Sequence, residues 1–434
     1  MNVLGDKADH AEQVLHETHQ DRETRRKGAF HEFEQHLPHL PSRFDAPARD
    51  NITGHLGAHN PFSHPVSAAD AVWLLDNIAY RAPKAKSGKE GQQHEDGGPN
   101  ERPAWQAEFV AAYFVKNSGR DVGKVVADIA DKIGLAGDDS ADHDATLKLI
   151  SSRLEPFLDT ILPARTVEAQ IGDERGLVKL GPSDQNGISS NTITFQKRDY
   201  TDGETISTTA VIEGAEDPSS SNTTHFADPE GWAFISDIDD SIKITMTSSP
   251  IGILRTTFAE TPTPITGMPE LYAHIHALLS PSWTYLSASP YNLYPFLHSF
   301  LHAHYPAGPI ILRPASWMDL AGLLASLTQG TQSYKFSRIE QIHGWLPRRK
   351  LLCLGDSTQT DPEAYAQAYR KFPGWIRAIF IRKVTGIAEM DLDGQKNEAA
   401  RFEKAFKGVP REVWRVFEQP EELYDMVAEL AAEK

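Results

Sequence analysis

The chain has 434 residues, 40% of them hydrophobic and 24% charged, and its 60 acidic against 43 basic residues give a formal net charge of −17. That length allows two or three domains of ordinary globular composition. The acidic balance excludes general nucleic-acid binding, which needs a basic field, and no window reaches the roughly 18 unbroken apolar residues of a transmembrane segment, so any membrane contact is peripheral.

The opening residues, Met1 to Lys7, turn polar at once and show neither the apolar core nor the cleavage site of a secretory signal. The single cysteine, Cys353, lies within the apolar run Leu351 to Leu354 and is expected as a buried thiol in a reducing, cytoplasmic setting. Residues 1–60 are polar and rich in His and Pro. Beyond a helix around Leu15 to Phe33 they lose periodicity, which predicts a flexible, loosely held N-terminal arm.

Residues 61–162 read as a helical region. Ser67 and Asp70 resemble a capping box ahead of Val72, Trp73, Leu74 and Leu75, while Val122, Val125, Val126, Ile129 and Ile133 share one helical face. The stretch 83–103 is too rich in Lys, Gly, Gln and Glu to bury a core and is expected as a disordered loop. Over 163–217 the period falls towards two, with Thr192 to Phe195 and Ile206 to Ile212 rich in β-branched residues, which predicts a small β-sheet module. The polar run Ser219 to Thr224 reads as a linker.

From 225 to 434 short apolar runs alternate with helical stretches. The runs are Trp232 to Ile235, Trp283 to Leu286, Ile310 to Leu312, Leu351 to Leu354 and Ile376 to Ile381. Between them lie candidate crossover helices at Pro269 to Leu279, Tyr291 to His304 and Pro362 to Lys371. Strands buried on both faces read this way, so the fold class is α/β with a doubly wound parallel sheet. Arg348, Arg349 and Lys350 read as a solvated basic loop before a strand. In such sheets ligands bind outside the carboxyl ends of the strands.

The first of these strands runs into Asp237-Ile238-Asp239-Asp240-Ser241. Two carboxylates two residues apart at a strand end suit a division of labour in which one attacks phosphorus and the other protonates the leaving oxygen and then activates water. A structural cation loop or helix cap would use the same residue types. The fourth strand ends in Gly355-Asp356-Ser357-Thr358-Gln359-Thr360-Asp361, and Asp356 is the first choice as a ligand for Mg²⁺, a cation that takes oxygen donors. A nucleophile elbow at Ser357 is excluded because position 359 is Gln rather than Gly. Ser287, at the end of the second strand, and Lys335, near a helix start, supply the hydroxyl and the ammonium that a transferring phosphoryl group needs.

The order acidic pair, Ser, Lys and acidic Gly-Asp loop resembles the four motifs of the haloacid dehalogenase superfamily. Within it, Ser236-Asp237-Ile238-Asp239-Asp240-Ser241-Ile242-Lys243, Leu254-Arg255-Thr256-Thr257-Phe258, Gly267-Met268-Pro269-Glu270-Leu271-Tyr272, Ser287-Ala288-Ser289-Pro290 and the loop from Gly355 to Glu363 are similar to the fungal actin-patch phosphatidate phosphatases and, more distantly, to the lipins. The resemblance implies a Mg²⁺-dependent phosphatidate phosphatase with Asp237 as nucleophile and Asp239 as general acid and base. It places the metal between the Asp237 carboxylate, the Asp239 carbonyl and Asp356. Ser287 and Lys335 would hold phosphoryl oxygens, Asp361 would orient Lys335 or a water, Ser241 stands where the family has Thr, and Arg313 is a candidate for substrate anion binding. It further implies phosphatidate at a membrane surface as substrate, and actin-patch or endocytic proteins as partners at the cell cortex.

No insertion in the catalytic region is long enough for a large cap, which predicts an open site. Because all these residues follow Pro218, the segment from there to Lys434 is expected to fold alone. His298 and His302, at i and i+4, have zinc-ligand spacing, but no Glu follows in the zinc-protease pattern and the helix runs away from the catalytic edge, so they read as a surface helix. The competing functions are a protein serine/threonine phosphatase of the same superfamily and a non-catalytic adaptor at cortical actin or endocytic membranes.

Overall fold

The computed structural model describes residues 18–37, 56, 59–81, 103–115, 123–135, 141–196, 198–214, 220–314, 320–385 and 395–433. The loop expected at 83–103 lies, apart from Pro103, outside them.

Two helices open the described chain, α1 (His19–Lys27) and α2 (Phe30–Gln35). Thr18 and Asp21 form a reciprocal capping box that starts α1. Phe30 is fully buried in the main core and Arg25 donates to Thr328 of the catalytic region at 2.8 Å. The described part of the expected loose arm is therefore docked.

The stretch expected as helix from Asp70 is instead sheet: β1 (His64–Pro65), β2 (Asp70–Leu74), β3 (Asn77–Arg81) and β4 (Trp105–Val115). A short apolar run fits either state, and β2 gains its partners from β4, which no local pattern announces. The helical expectation holds further on, at α3 (Gly123–Lys132) and α4 (Ala141–Leu158). The β region continues through β5 (Thr160–Ile161), β6 (Arg165–Ile171), β7 (Val178–Leu180), β8 (Ile188–Thr194) and β9 (Thr205–Val211) to β10 (Ser221–Ala227). The run read as a linker is thus largely a strand. β10 pairs antiparallel with β9 and parallel with β3, and its Asn222 and Thr224 are buried. These strands form one sheet around Trp105, Phe109, Tyr113, Phe195 and Phe226.

The region from 232 onward forms a second sheet, entirely parallel. Its strands are β11 (Trp232–Asp237), β12 (Ser282–Pro290), β13 (Ile310–Arg313), β14 (Lys350–Asp356), β15 (Ile376–Arg382) and β16 (Trp414–Phe417), in the order β13-β12-β11-β14-β15-β16. The connections carry α5 (Pro250–Leu254) with a π-helical turn at Arg255–Ala259, α6 (Met268–Leu279), α7 (Tyr294–His304), α8 (Leu320–Thr328), α9 (Thr331–Trp345), α10 (Asp361–Lys371) and α11 (Ala399–Ala405), and α12 (Tyr424–Ala432) closes the chain. Leu351, Leu352, Cys353 and Leu354 of β14 are all fully buried, as a strand covered on both faces requires. Connections diverge on either side of β11 and β14, the switch point where such sheets bind ligands.

The two sheets share their core. Phe114 of β4 packs on Tyr291 and Phe157 of α4 on Phe258, and Ile78 and Ala227 join the apolar cluster on the other face of the parallel sheet. Arg349, expected as solvated, is 2% exposed and donates to the carbonyls of Asp228 and Trp232 and to the Asp202 carboxylate. No helix of the described residues is long and apolar enough to cross a membrane.

Candidate active site

β11 delivers Asp237 at its carboxyl end, and the chain then turns sharply. Asp240 takes the left-handed conformation at φ 59°, one that Asp tolerates better than most residues. Its carboxylate accepts from the amides of Thr245, Met246 and Thr247 at 2.7–2.9 Å, which locks the turn. The two-residue spacing thereby becomes two separate settings for Asp237 and Asp239.

Asp237 accepts from the Lys335 ammonium at 2.6 Å through one oxygen and from Ser241 Oγ at 2.9 Å through the other. Lys335, fully buried one turn into α9, also donates to Asp361 at the start of α10. Asp239 is held by hydroxyls: Ser287 Oγ at 2.6 Å and Ser289 Oγ at 3.3 Å on one oxygen, Thr245 Oγ1 at 2.8 Å on the other. Three hydroxyl donors converging on it fix the position of its side chain. Lys243 Nζ lies 3.8 Å from the same carboxylate.

Asp356 ends β14 beside β11. One of its oxygens accepts from the amide and hydroxyl of Thr358, while Oδ2 is buried with no hydrogen-bond partner among the described residues. Asp237, Asp356 and Asp361 offer carboxylate oxygens within 4.8 Å of one another. Burial, reinforced by Asp361 and opposed by Lys335, pushes the Asp237 carboxyl well above the usual carboxylate range, and the same causes push Asp356 up to about 7. For Lys335 burial alone would lower the pKa, but Asp237 and Asp361 outweigh it and hold the ammonium charged. Two crowded acids and an orphaned carboxylate oxygen fit a hard divalent cation, which would offset their repulsion.

Glycine at 355 has a packing reason, since a Cβ there would lie 2.5 Å from Asp361 Oδ2.

The structure therefore gathers Asp237, Asp239, Ser241, Ser287, Lys335, Asp356 and Asp361, with Ser287 bonded to Asp239. Arg313 is not brought into this group. It is 8% exposed, donates to the Gln329 carbonyl at 2.7 Å and lies over the Tyr334 ring, and burial lowers it to about 10. An anion-binding role for it at this site is not supported. His298 pairs with Asp76 at 3.0 Å, and the described histidines form no metal-ligand group.

One residue the sequence did not single out is Lys396, in a short turn with no periodic signal. Its ammonium donates to the Thr358 carbonyl at 2.8 Å and to Ser248 Oγ at 3.1 Å, and burial, with Arg401 beside it, lowers it to about 8. It lines a cavity of about 680 Å³ with Lys27, Arg370, Arg401 and Lys404 and with Glu23, Glu363 and Glu398, and Lys27 pairs with Glu23 and Arg401 with Glu363. No cap is inserted among the described catalytic elements, yet Asp237 and Asp239 are only 1% and 3% exposed. Asp21 and Thr24 of α1 line a small pocket with Thr247, Thr331, Thr358 and Thr360, close to the loop that follows Asp356.

Residues 232–383 match the profile of a family described as Phosphatidate phosphatase APP1, catalytic domain. The chain is 28% identical over 246 residues to Phosphatidate phosphatase APP1 of Saccharomyces cerevisiae, an alignment that covers 54% of this chain and 40% of that protein. The chain thus spans well under half the length of this relative.

Proposed function

We propose that this chain, whose residues 232–383 match the phosphatidate phosphatase APP1 catalytic-domain family, is a phosphoric monoester hydrolase that converts phosphatidate to diacylglycerol and phosphate through a phosphoaspartyl intermediate at Asp237. The observation that carries the reading is the convergence of Lys335, Asp356 and Asp361 on Asp237, with Asp239 held apart by hydroxyls. The order of the parallel strands supports a haloacid dehalogenase-like fold for this region.

In this mechanism Asp237 attacks phosphorus from the oxygen not engaged by Ser241, and Lys335 neutralises charge as the phosphoryl group arrives. Asp239 protonates the leaving glyceryl oxygen and afterwards takes a proton from water, its reach fixed by Ser287 and Thr245. Mg²⁺, held by Asp237, Asp356 and the Asp239 carbonyl, would supply the positive charge that lets an anion approach an anionic phosphate.

The test is Mg²⁺-dependent phosphate release from phosphatidate, lysophosphatidate, diacylglycerol pyrophosphate and a phosphopeptide. Phosphatidate turnover that EDTA abolishes is expected. Turnover of the phosphopeptide alone would assign a protein phosphatase instead, and no turnover of any ester would leave the adaptor reading. Action at cortical actin or endocytic membranes rests on the family resemblance alone.

A further inference from the structure

The loop that follows Asp240 buries a second ammonium close to the acidic centre. Lys243 is 1% exposed, and lysine is rarely buried without a partner. Its Nζ stands 3.8 Å from Asp239 Oδ1, beyond hydrogen-bond range, and 5.6 Å from the centre of the Phe296 ring of α7. Its short contact is with a neutral group. It donates to Thr245 Oγ1 at 2.6 Å, with a longer bond to the Ile244 carbonyl at 3.3 Å. Thr245 Oγ1 in turn donates to Asp239 Oδ1 at 2.8 Å, so the ammonium reaches the carboxylate through a hydroxyl.

The backbone of Thr245 is pinned on both sides: its amide donates to the Asp240 carboxylate at 2.9 Å and its carbonyl accepts from Thr256 Oγ1 at 2.9 Å. What is left to set is the direction of its hydroxyl proton, because an O–H rotates to suit its neighbours. An ammonium offers only donors, so the proton points at Asp239. The other oxygen of Asp239 is treated alike. The Ser289 amide donates to Ser287 Oγ at 3.0 Å, and Ser287 Oγ donates to Asp239 Oδ2 at 2.6 Å. Two chains, each headed by an N–H, thus run one way into Asp239. A proton carried by Asp239 cannot be handed back along either of them, since each contact already holds one.

We infer that Lys243 is a positioning residue for proton transfer: by donating to Thr245 it aims that hydroxyl at Asp239 and so keeps the Asp239 proton for the leaving group. As the P–O bond breaks, its electron pair and the Asp239 proton go to the same glyceryl oxygen. Lys243 itself touches neither phosphorus nor that oxygen. The role rests on the reading of Asp239 as general acid and base given above. It makes the effect of Lys243 depend on the leaving group, because a glyceryl oxygen needs the proton and a nitrophenolate does not.

The test compares phosphatidate with p-nitrophenyl phosphate in the full chain with Mg²⁺. Lys243→Met keeps the length of the side chain and removes the donor. It is expected to lower kcat on phosphatidate about tenfold, the scale of one lost hydrogen bond, with KM unchanged. The first step on p-nitrophenyl phosphate, read as the burst of nitrophenolate, should keep the parental rate. Thr245→Val should show the same split, and adding Lys243→Met to it should cost little more, because two links of one chain are not additive. Thr245→Ser, which keeps the hydroxyl, should retain most of the parental rate. Equal losses on the two esters would mean that Lys243 only supports the loop, and additive losses in the double variant that it acts without Thr245. Either result, or a parental rate in Lys243→Met, overturns the inference. If Lys243→Met shows no cooperative melt, Thr245→Val, which breaks the same chain one link on, decides by the same split. A parent that releases phosphate from neither ester ends the phosphatase reading and this role with it, whereas an active parent with variants at its own rate removes the role alone.

Discussion

Asp237 and Asp239 have the same side chain two positions apart, and their surroundings give them different work. Asp237 faces a buried ammonium and two further carboxylates, whereas Asp239 faces Ser287, Ser289 and Thr245. Asp237→Asn is expected to be inert, because an amide cannot form the acyl phosphate and Lys335 loses a charged partner. Asp239→Asn keeps the nucleophile and loses the proton donor and base, a loss of roughly 10²–10⁴-fold in rate. With an activated ester, whose leaving group needs no proton, this variant should complete its first step and accumulate phosphoenzyme. Intact mass after an acid quench reads it as added phosphate on Asp237. Label on any other residue, or full activity in Asp237→Asn, would remove Asp237 from the mechanism.

At the scale of elements, the clearest departure from expectation is α1. Asp21 accepts from the Gly330 amide at 3.3 Å and Arg25 donates to Thr328, which holds the helix over the loops that carry Thr358 and Thr360. Asp21→Ala with Arg25→Ala should loosen it. Losing two hydrogen bonds of about 1 kcal/mol each shifts a closed-to-open balance by roughly tenfold or more. Turnover of vesicle-presented phosphatidate is expected to rise by up to that factor, with a smaller effect on a soluble ester that needs less clearance. Equal rates to the parent on both substrates would show that α1 does not limit access. Five of the six parallel strands were legible because strands covered on both faces read as continuous apolar runs, and the acidic strand ends followed from them, whereas β16 was not read. β2 and β10 were not, for opposite reasons. Val72 to Leu75 is apolar enough for a helix, and Ser221 to Thr224 is polar enough for a linker. Both are strands because of partners distant in sequence, β4 for one and β3 with β9 for the other. The setting of Arg313 was not legible either, because a strand end says where a backbone stops and nothing of where a long side chain turns.

For the whole molecule, the packing of the two sheets predicts how stability responds to pH and to truncation. His298 of α7 bonds Asp76 beside β3, and that hydrogen bond raises the imidazole above its ordinary 6.5. Its contribution is full below about pH 6.5 and fades as pH rises through the raised value. His298 is partly exposed, so the pair stabilises by no more than about 1 kcal/mol. The melting-temperature gap between the parent and His298→Gln should therefore be small, largest in mild acid, and closing above neutrality. A gap that widens with rising pH would show that the imidazole acts uncharged. Truncation is the harsher trial. A fragment beginning at Pro218 contains every residue gathered around Asp237, which is why the sequence suggests that it folds alone. Yet it strips β10 of β3 and β9, removes the Asp202 partner of buried Arg349, and uncovers Phe258, Tyr291 and Ala227. Each large apolar side chain returned to water forfeits about 1.5–3 kcal/mol. A handful of them consumes a net stability of roughly 5–15 kcal/mol. The fragment is expected to aggregate or to keep far-UV signal without near-UV structure, and to release no phosphate even from a soluble ester. A monodisperse fragment with a cooperative melt and parental turnover would mean that the parallel sheet is self-sufficient and that the shared core adds only stability.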